Sequence, residues 1–566
     1  MKKFYKLLIS LTLVFTVLLG CFGCKPDDQG GEEGSLTLFL NNGHYYNDVK
    51  KDSVWTTIEE KAGVKFTITG ESHTGSYYTK LSPLMNTIVD APDIVFLVPS
   101  AESLGRTTFT DVWCSEKTGL VYSFEELLAK YPEGTYPYIE KLLFDSQFKN
   151  VMQNGKHHLL PNISSANSFG IYYRTDWLIA AGYYTVDDQG NKVARYPTNL
   201  EEFTDVLAKF TNINQLAAEQ NITLKQTATK TYGFSPAQGP HLWMPIYHAF
   251  GVTPDWDIYG DSIDHMYTNA KFRDFLVWAN DMYSKGYIYP TFNSLATNSE
   301  RQLFYDGQIG VMFTNAETHV KYIMQRMDSL GVGDCVGFGP AIEGTENLGE
   351  KGSKGFSNWG GYWGGFCISK NCKNVEGALN LLNYVLSPEG MKLRTYGVEG
   401  VHYAVENGEI VINEEHIENR IMEGSAFIEF ANEEGELLPT GNYEMGTSFG
   451  GNIQWDLYEE TKTIQVLSDA YSMDQVYTQL VQDALDQMVL KTSKLLNFSP
   501  YNSATTSAMT SYADLATSYV NSVIIGAKGY SITEWDKLIA DLKATNKSKA
   551  MFASANALCR EYGFLD

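Results

Sequence analysis

Past residue 19, no stretch of this 566-residue chain approaches the roughly eighteen consecutive apolar residues that a membrane-crossing helix needs. Cationic charge is also scarce. Against 67 Asp and Glu there are 43 Lys and Arg, a net charge of −24 that repels phosphate backbones and argues against a nucleic-acid partner. Cysteine is sparse: apart from Cys21 and Cys24 there are only Cys114, Cys335, Cys367, Cys372 and Cys559. That odd number and irregular spacing indicate neither a disulfide framework nor a zinc site. Cys367 and Cys372 flank a predicted strand end and are near enough to pair, but buried reduced thiols are the simpler expectation. No H-E-x-x-H helix and no P-loop occurs, and the neighbours His157 and His158 project in different directions on either helix or strand. Metal and cofactor are therefore not expected.

What is present starts at the amino terminus. Lys2, Lys3 and Lys6 precede an apolar run from Leu7 to Leu19, too short to span about 30 Å of hydrocarbon, so residues 1–20 read as a secretory signal peptide. Val17, Leu18, Leu19 and Gly20 ahead of Cys21 resemble the lipobox of bacterial lipoproteins, which implies lipidation of Cys21. Cys24 also follows a glycine, but Cys21 and Phe22 stand where that pattern has aliphatic or small residues. Acyl chains contribute ~0.8 kcal/mol per buried CH₂ and would hold the chain on a membrane surface. Residues 21–35 are polar, acidic and Gly-rich, with too little apolar surface to order themselves, and read as a tether. Removing the three signal lysines takes the net charge to −27.

The remaining body is too long for one core and predicts two or three lobes. Its pattern is α/β. Leu36–Leu40 reads as a strand, Val54–Gly70 as a helix closed at Gly63 and then a strand, Tyr78–Val89 as a helix, and Ile94–Leu97 as a buried strand. A second series begins near His158 with a predicted hairpin, HHLLPN and FGIYYR, leading into a helix that starts near Asp176 and ends before Gly182. Helices are expected at Leu200–Phe210 and Phe272–Ser284, and a strand at Gly307–Phe313 ending at Thr314 and Asn315. The strand in GYWGGFCIS precedes a helix at Val375–Leu386. From Val476 onward the chain reads as mostly helical, including Ile532–Leu542 and Met551–Tyr562.

Several segments, in order, resemble the extracellular solute-binding lipoproteins of carbohydrate ABC importers. They are WTTIEEKAGVKF (Trp55–Phe66), DAPDIVF (Asp90–Phe96), YRTDWLIAAGY (Tyr173–Tyr183), FYDGQIGVMF (Phe304–Phe313), YVLSPEGMKLRTYGVEGVHY (Tyr384–Tyr403) and SYVNSVIIGAKGYSITEWDKLIADL (Ser518–Leu542). The resemblance implies a two-lobed type II periplasmic-binding fold with an interlobe cleft and an extended helical C-terminal part. The expected division is a first lobe at 36–160, completed by segments around 310–365, a second lobe at 161–310, and a largely helical part at 366–566 packing on both. Some members of this fold carry a calcium loop where this chain has DDQGNKVARYP (Asp187–Pro197). Arg195 and Tyr196 stand where acids are wanted, so a metal-free hairpin is expected.

The resemblance further implies a binding protein, not an enzyme. It would capture an oligosaccharide and deliver it to the transmembrane subunits of an ABC importer, as a monomer lipid-anchored on the extracytoplasmic face of the membrane. Tyr and Trp suit sugars, with a flat apolar face and a polar edge. In α/β folds ligands sit at strand carboxyl ends, which selects Asn42 and Tyr45, with their neighbours Asn41 and His44, after the first strand. Trp359, Tyr362 and Trp363 are candidates because in SNWGGYWGG the flanking glycines leave room for flat groups, and Asn315 and Glu317 because they follow the IGVMF strand. Trp243 is either a cleft platform or a packing residue. Glu399 and His402 either reach the ligand or fix a turn, and Ser100 and Ser165 are further polar contacts. The rivals are a secreted glycoside hydrolase, for which Glu59, Asp176, Asp255, Glu317 and Glu399 are available acids but nothing marks a pair, and a surface adhesin.

Overall fold

The computed structural model describes residues 34–41, 53–71, 76–87, 91–97, 108–145, 152–164, 169–236, 243–296, 299–315, 320–357, 361–396, 398–400, several short strands within 403–439, residues 487, 490–491 and 494–495, and 505–566. Among these, two sheets organise the molecule. Their strands, in chain order, are β1 (Leu36–Asn41), β2 (Phe66–Glu71), β3 (Ile94–Leu97), β4 (Leu160–Ser164), β5 (Phe169–Arg174), β6 (Tyr232–Phe234), β7 (Ile309–Asn315), β8 (Val336–Gly339) and β9 (Gly361–Ile368). The helices that matter most are α1 (Ser53–Ala62), α2 (Leu200–Thr211), α3 (Ala270–Ser284), α4 (Val375–Val385), α5 (Thr506–Ile524), α6 (Ile532–Ala544) and α7 (Asn546–Glu561).

The first sheet has the order β2-β1-β3-β9-β4. β1 runs parallel to β2 and β3, and β9 antiparallel to β3 and β4. Leu36, Leu38, Phe39 and Leu40 are all buried, the near-continuous apolar reading of a strand covered on both faces. α1 contributes Ile58 and α4 contributes Ala378, Leu379, Leu381, Leu382 and Val385 to this core. α4 starts where it does because the Asn374 side chain accepts the Gly377 N–H at 2.9 Å. α1 is followed by Gly63 at φ +67, a conformation glycine adopts without strain.

The second sheet has the order β8-β5-β7-β6, with β7 antiparallel to β5 and parallel to β6. A Cβ on Gly310 of β7 would lie 2.2 Å from the Phe210 ring, so glycine there lets α2 press against the strand. α2 is capped by Asn199, which accepts the Glu202 N–H at 2.9 Å, while the Glu202 carboxylate accepts the Thr198 N–H at 3.0 Å. A third core joins Trp256 and Ile263 of the hairpin Trp256–Tyr259/Ser262–His265 to Met509, Met551 and Cys559 of α5 and α7. Lys543 binds Asp264 at 2.6 Å, and Asn556 accepts the Ile263 N–H at 2.8 Å, so the C-terminal helices are tied to that hairpin.

Within the described residues the expected strands and helices recur with ends moved by a few residues, but three placements differ; the helical reading over 476–486 lies outside the described residues. HHLLPN and FGIYYR do not pair as a hairpin. β4 belongs to the first sheet and β5 to the second, so the chain has changed sheets between Ser164 and Phe169. Alternation identifies a strand without identifying its partner, and no tight-turn pair separates these two. Of the segment around 310–365 expected to complete the first lobe, β7 and β8 lie in the second sheet and only β9 joins the first. Residues 403–439, expected within a largely helical part, contain the antiparallel pair Tyr403–Glu406/Glu409–Ile412 and the three strands Arg420–Glu423, Phe427–Ala431 and Leu437–Pro439. Cys114, Cys335, Cys367, Cys372 and Cys559 are all buried free thiols.

His158 is buried beside this first core, and its ring lies 3.2 Å from the Tyr122 carbonyl. Burial lowers its pKa from 6.5 to about 4. The folded state therefore binds this proton less readily than the unfolded chain, and the stability present above pH 6.5 is lost as pH falls toward 4. Neighbouring Glu125 is pushed upward by burial, but its hydrogen bonds with the His157 ring (2.7 Å) and N–H (3.0 Å) outweigh that and hold it below 4.5, so it acts only at lower pH. Thermal unfolding between pH 6.5 and 4.5 should thus show a loss on the order of 2 kcal/mol from His158, and His158→Gln should flatten that slope.

Candidate functional site

Strand register locates the carboxyl edges of both sheets. Asn41 lies opposite Glu71, and continuing the β1–β3 register from Phe39 and Val95 sets Asn41 level with Leu97. Leu97 in turn faces Gly365, so residues 361–364 of β9 run past the end of β3. There, among the described residues, they pair with β4, Gly361 facing Ser164 and Tyr362 facing Ile163. The register then slips between Tyr362 and Gly364. Trp363 is the extra residue of that bulge, a device that re-aims a strand beside functional sites.

The second sheet meets this edge. Asn315, the last residue of β7, faces Phe169, the first of β5, and Gly339 at the end of β8 faces Ile171. The carboxyl ends of β7 and β8 thus lie at the amino end of β5, where the chain has just crossed from β4. The return crossing runs from Ser357 to Gly361. Both sheets therefore present carboxyl edges to the same pair of crossings, the location at which α/β folds receive ligands.

Of the residues selected from sequence, the described backbone brings Tyr362, Trp363 and Asn315 to this junction; their side chains lie outside the described set. Asn42, His44, Tyr45, Ser100, Ser165, Glu317, Trp359, His402 and Cys21 also lie outside it. Asn41 ends β1 at the junction edge. Glu399 is exposed in a tight turn, where Gly400 at φ +82 donates its N–H to the Tyr403 carbonyl at 2.7 Å.

Trp243 is corrected from possible platform to core. It has 0 % exposure, with Phe234 and Phe275 edge-on at 5.1 Å and Trp278 and Phe292 beyond them. A ring enclosed by aromatics on several sides offers no face to a solute. It precedes the short helix Met244–Tyr247, whose residues are buried throughout, so the apolar run that followed it in sequence was the signal for packing.

Three of the acids available to a hydrolase, Glu59, Asp176 and Asp255, have structural partners. Glu59 is buried and accepts the Phe66 N–H at 3.0 Å and Lys65 at 3.2 Å. Asp176 accepts both arms of the buried Arg174 guanidinium at 3.0 and 2.9 Å, a bidentate pair that closes the junction of β5 with the helix Thr175–Ala180. Asp255, at φ +61, lies 3.7 Å from His265. Glu317 is outside the described residues. Sequence reasoning passed over Gly446-Thr447-Ser448-Phe449-Gly450, which has the G-x-S-x-G spacing of a nucleophile elbow; it too lies outside the described residues.

Sequence reasoning also missed Arg301. Its guanidinium donates to Thr314 Oγ1 at 3.3 Å, one residue before the carboxyl end of β7, and adjacent Glu300 is fully buried. Arg301 sits on the helix Glu300–Tyr305, where it reads as ordinary surface charge. The expected hairpin at Asp187 is present, as Tyr184–Val186 with Lys192–Ala194. Asp187 accepts the Gln189 and Asn191 N–H groups at 2.9 and 2.7 Å, and the Asn191 bonds hold its carboxyl below the usual range. Among the described residues no cluster of His, Cys, Asp or Glu is arranged to hold a metal ion, and no helix is long and apolar enough to cross a membrane.

A family model described as bacterial extracellular solute-binding protein matches residues 54–405. No curated protein matches the chain. Among solved structures, an alginate-binding protein without its calcium ion is similar at 13 % identity over 92 % of this chain and 97 % of that one, with a TM-score of 0.59. A Streptococcus pneumoniae ABC-transporter substrate-binding protein in complex with kestose is 15 % identical over 93 % and 99 %, at 0.57. An HMO-binding solute-binding protein from Bifidobacterium longum infantis is 12 % identical over 93 % and 98 %, also at 0.57. At these identities the likeness establishes the fold, two α/β lobes joined across a cleft.

The core position of Trp243 has a measurable consequence. Trp243→Ala should lower the free energy of unfolding by about 3–5 kcal/mol in urea titrations, and the folded fraction should bind solute with unchanged affinity.

Proposed function

Because the chain belongs to the bacterial extracellular solute-binding protein family, we propose that it captures an oligosaccharide in the interlobe cleft and hands it to the membrane subunits of an ABC importer. The observation that carries this reading is the convergence of both carboxyl edges on two crossings, one of which leads into the bulged Tyr362-Trp363 segment. The alginate, kestose and HMO ligands of the structural neighbours give the solute class.

In this reading one lobe comprises 36–164 and 361–396, and the other 169–357 and 505–566. Trp359, Tyr362 and Trp363 stack on pyranose or furanose faces from the return crossing. Asn42 and Tyr45 contribute from the first lobe, and Asn315, Glu317 and Arg301 from the second, satisfying hydroxyls whose loss of a partner costs ~1–3 kcal/mol each. Ligand binds one lobe, the other rotates about the crossings, and the closed form predominates because it alone touches both sides of the solute. Micromolar capture corresponds to about −8 kcal/mol. A few stacks and a set of hydrogen bonds supply that without any bond being made or broken. The committed partners of Glu59 and Asp176 favour this reading over a hydrolase.

The finer localisation follows from the amino terminus. Cleavage before Cys21, acylation of its thiol and a tether to Ser35 place the monomeric body on the outer face of the cell membrane. Cys21→Ser should therefore shift the protein from the membrane pellet to the soluble fraction, and unchanged partitioning would refute the anchor.

Binding is tested by calorimetry of the tether-free body against kestose, alginate oligomers and human-milk and N-glycan oligosaccharides. At least one should bind and be recovered intact by chromatography, and Trp363→Ala should weaken it by about tenfold or more, the equivalent of ~1.4 kcal/mol. Recovery of shortened saccharides would instead establish a hydrolase.

A further inference from the structure

Away from the cleft, the first lobe carries a cavity of about 660 Å³. It is bounded by the carboxyl end of α1 with Gly63, by Thr135–Tyr138, by the outward face of α4 and by Ser387–Glu389. Gly63 leads into Phe66 at the amino end of β2, the end opposite the carboxyl edge at Glu71. The volume lies within the range of small-molecule sites, roughly 300–1,000 Å³.

Its lining is more polar than the packing of the lobe requires. Asn380, Asn383 and Tyr384, three and four residues apart, share one face of α4, while Leu379, Leu381 and Leu382 on the same helix are buried in the core. Asn383 Oδ1 accepts the Tyr138 and Ile139 N–H groups at 3.0 and 3.3 Å, which fixes the opposite wall. That leaves its amide nitrogen as a donor without a partner among the described residues. The side chain of half-buried Asn380 makes no hydrogen bond among them either. At the rim, Lys61 Nζ and Glu389 Oε1 are 2.6 Å apart. Each charge is thus compensated by the other, and the cavity offers an ion of either sign no unpaired counter-charge.

Amide groups that both donate and accept, tyrosine rings with polar edges and a compensated rim suit vicinal hydroxyls on a compact ring. We propose that this cavity is a second ligand site, separate from the interlobe cleft, for an uncharged polyhydroxylated molecule of one or two sugar rings. It stands independently of the cleft reading, since no residue is shared between them.

The test uses the full mature chain with maltose as the probe, read by saturation-transfer NMR and by crystals grown in maltose. Sugar density in the cavity is expected, and Asn380→Leu should weaken the transfer signal by about tenfold in apparent affinity. Tyr384→Ala should act in the same direction. If it fails to fold, Asn380→Leu, at a half-buried position without partners, carries the test alone. Trp363→Ala should leave the cavity signal intact, which separates failure of this site from failure of the cleft. A maltose signal indifferent to Asn380→Leu, a signal abolished by Trp363→Ala, or a cavity empty of sugar in the crystals would each overturn the proposal.

Discussion

The chain re-enters the first lobe through β9, and that strand fits between β3 and β4 only because two consecutive residues lack side chains. A Cβ on Gly364 would stand 2.5 Å from the Leu97 carbonyl and 2.7 Å from the Phe96 ring, and one on Gly365 would stand 2.4 Å from the Leu160 carbonyl. Neither contact can be relieved by a rotamer change, since backbone lies on the far side. The glycines therefore serve the sheet first. They let β9 close it, and closure fixes where the strand overruns β3 and where Trp363 bulges. The junction between lobes inherits its geometry from this contact.

How much of this was readable in the residues depends on range. Local features were clear: the buried run Ile94–Leu97 is the observed strand, and the Asn374 and Asn199 caps start helices where the apolar spacing begins. Pairing was not. The alternation in HHLLPN and FGIYYR has the same appearance whether two strands are neighbours or lie in different sheets, so the crossing was taken for a hairpin. α5 was missed as a helix of its own because its sequence, TSAMTSYADLATSYVNSVI, dilutes the apolar period with Ser and Thr. Its buried residues Met509, Tyr512, Ala516, Val520 and Val523 nevertheless keep helical spacing.

For the site, the strand-end rule and the glycine-flanked aromatics mark positions that the backbone gathers at one junction, including Tyr362, Trp363 and Asn315. Trp243 has two readings in sequence, because the apolar run after it points to packing without excluding a face open to solvent. What decides is the arrival of Phe275, Trp278 and Phe292 from distant segments. Arg301 illustrates the converse. A charge on a short helix gains meaning only when β7 brings Thr314 alongside it.

The discontinuity of the first sheet bears on how such a chain reaches its folded form after export. β1 to β4 are synthesised and threaded outward ahead of β9, yet in the finished sheet β9 separates β3 from β4. Until about two hundred residues more have emerged, those two strands have exposed edges facing each other with the wrong partner spacing, a state open to misregister and intermolecular pairing. In the second sheet, too, β7 enters between β5 and β6 after both have emerged, but there no strand of the other large sheet intervenes. The first lobe thus holds its early strands in reserve for a late arrival, and the second closes later still, when Ala516, Val520 and Trp535 of α5 and α6 join its core.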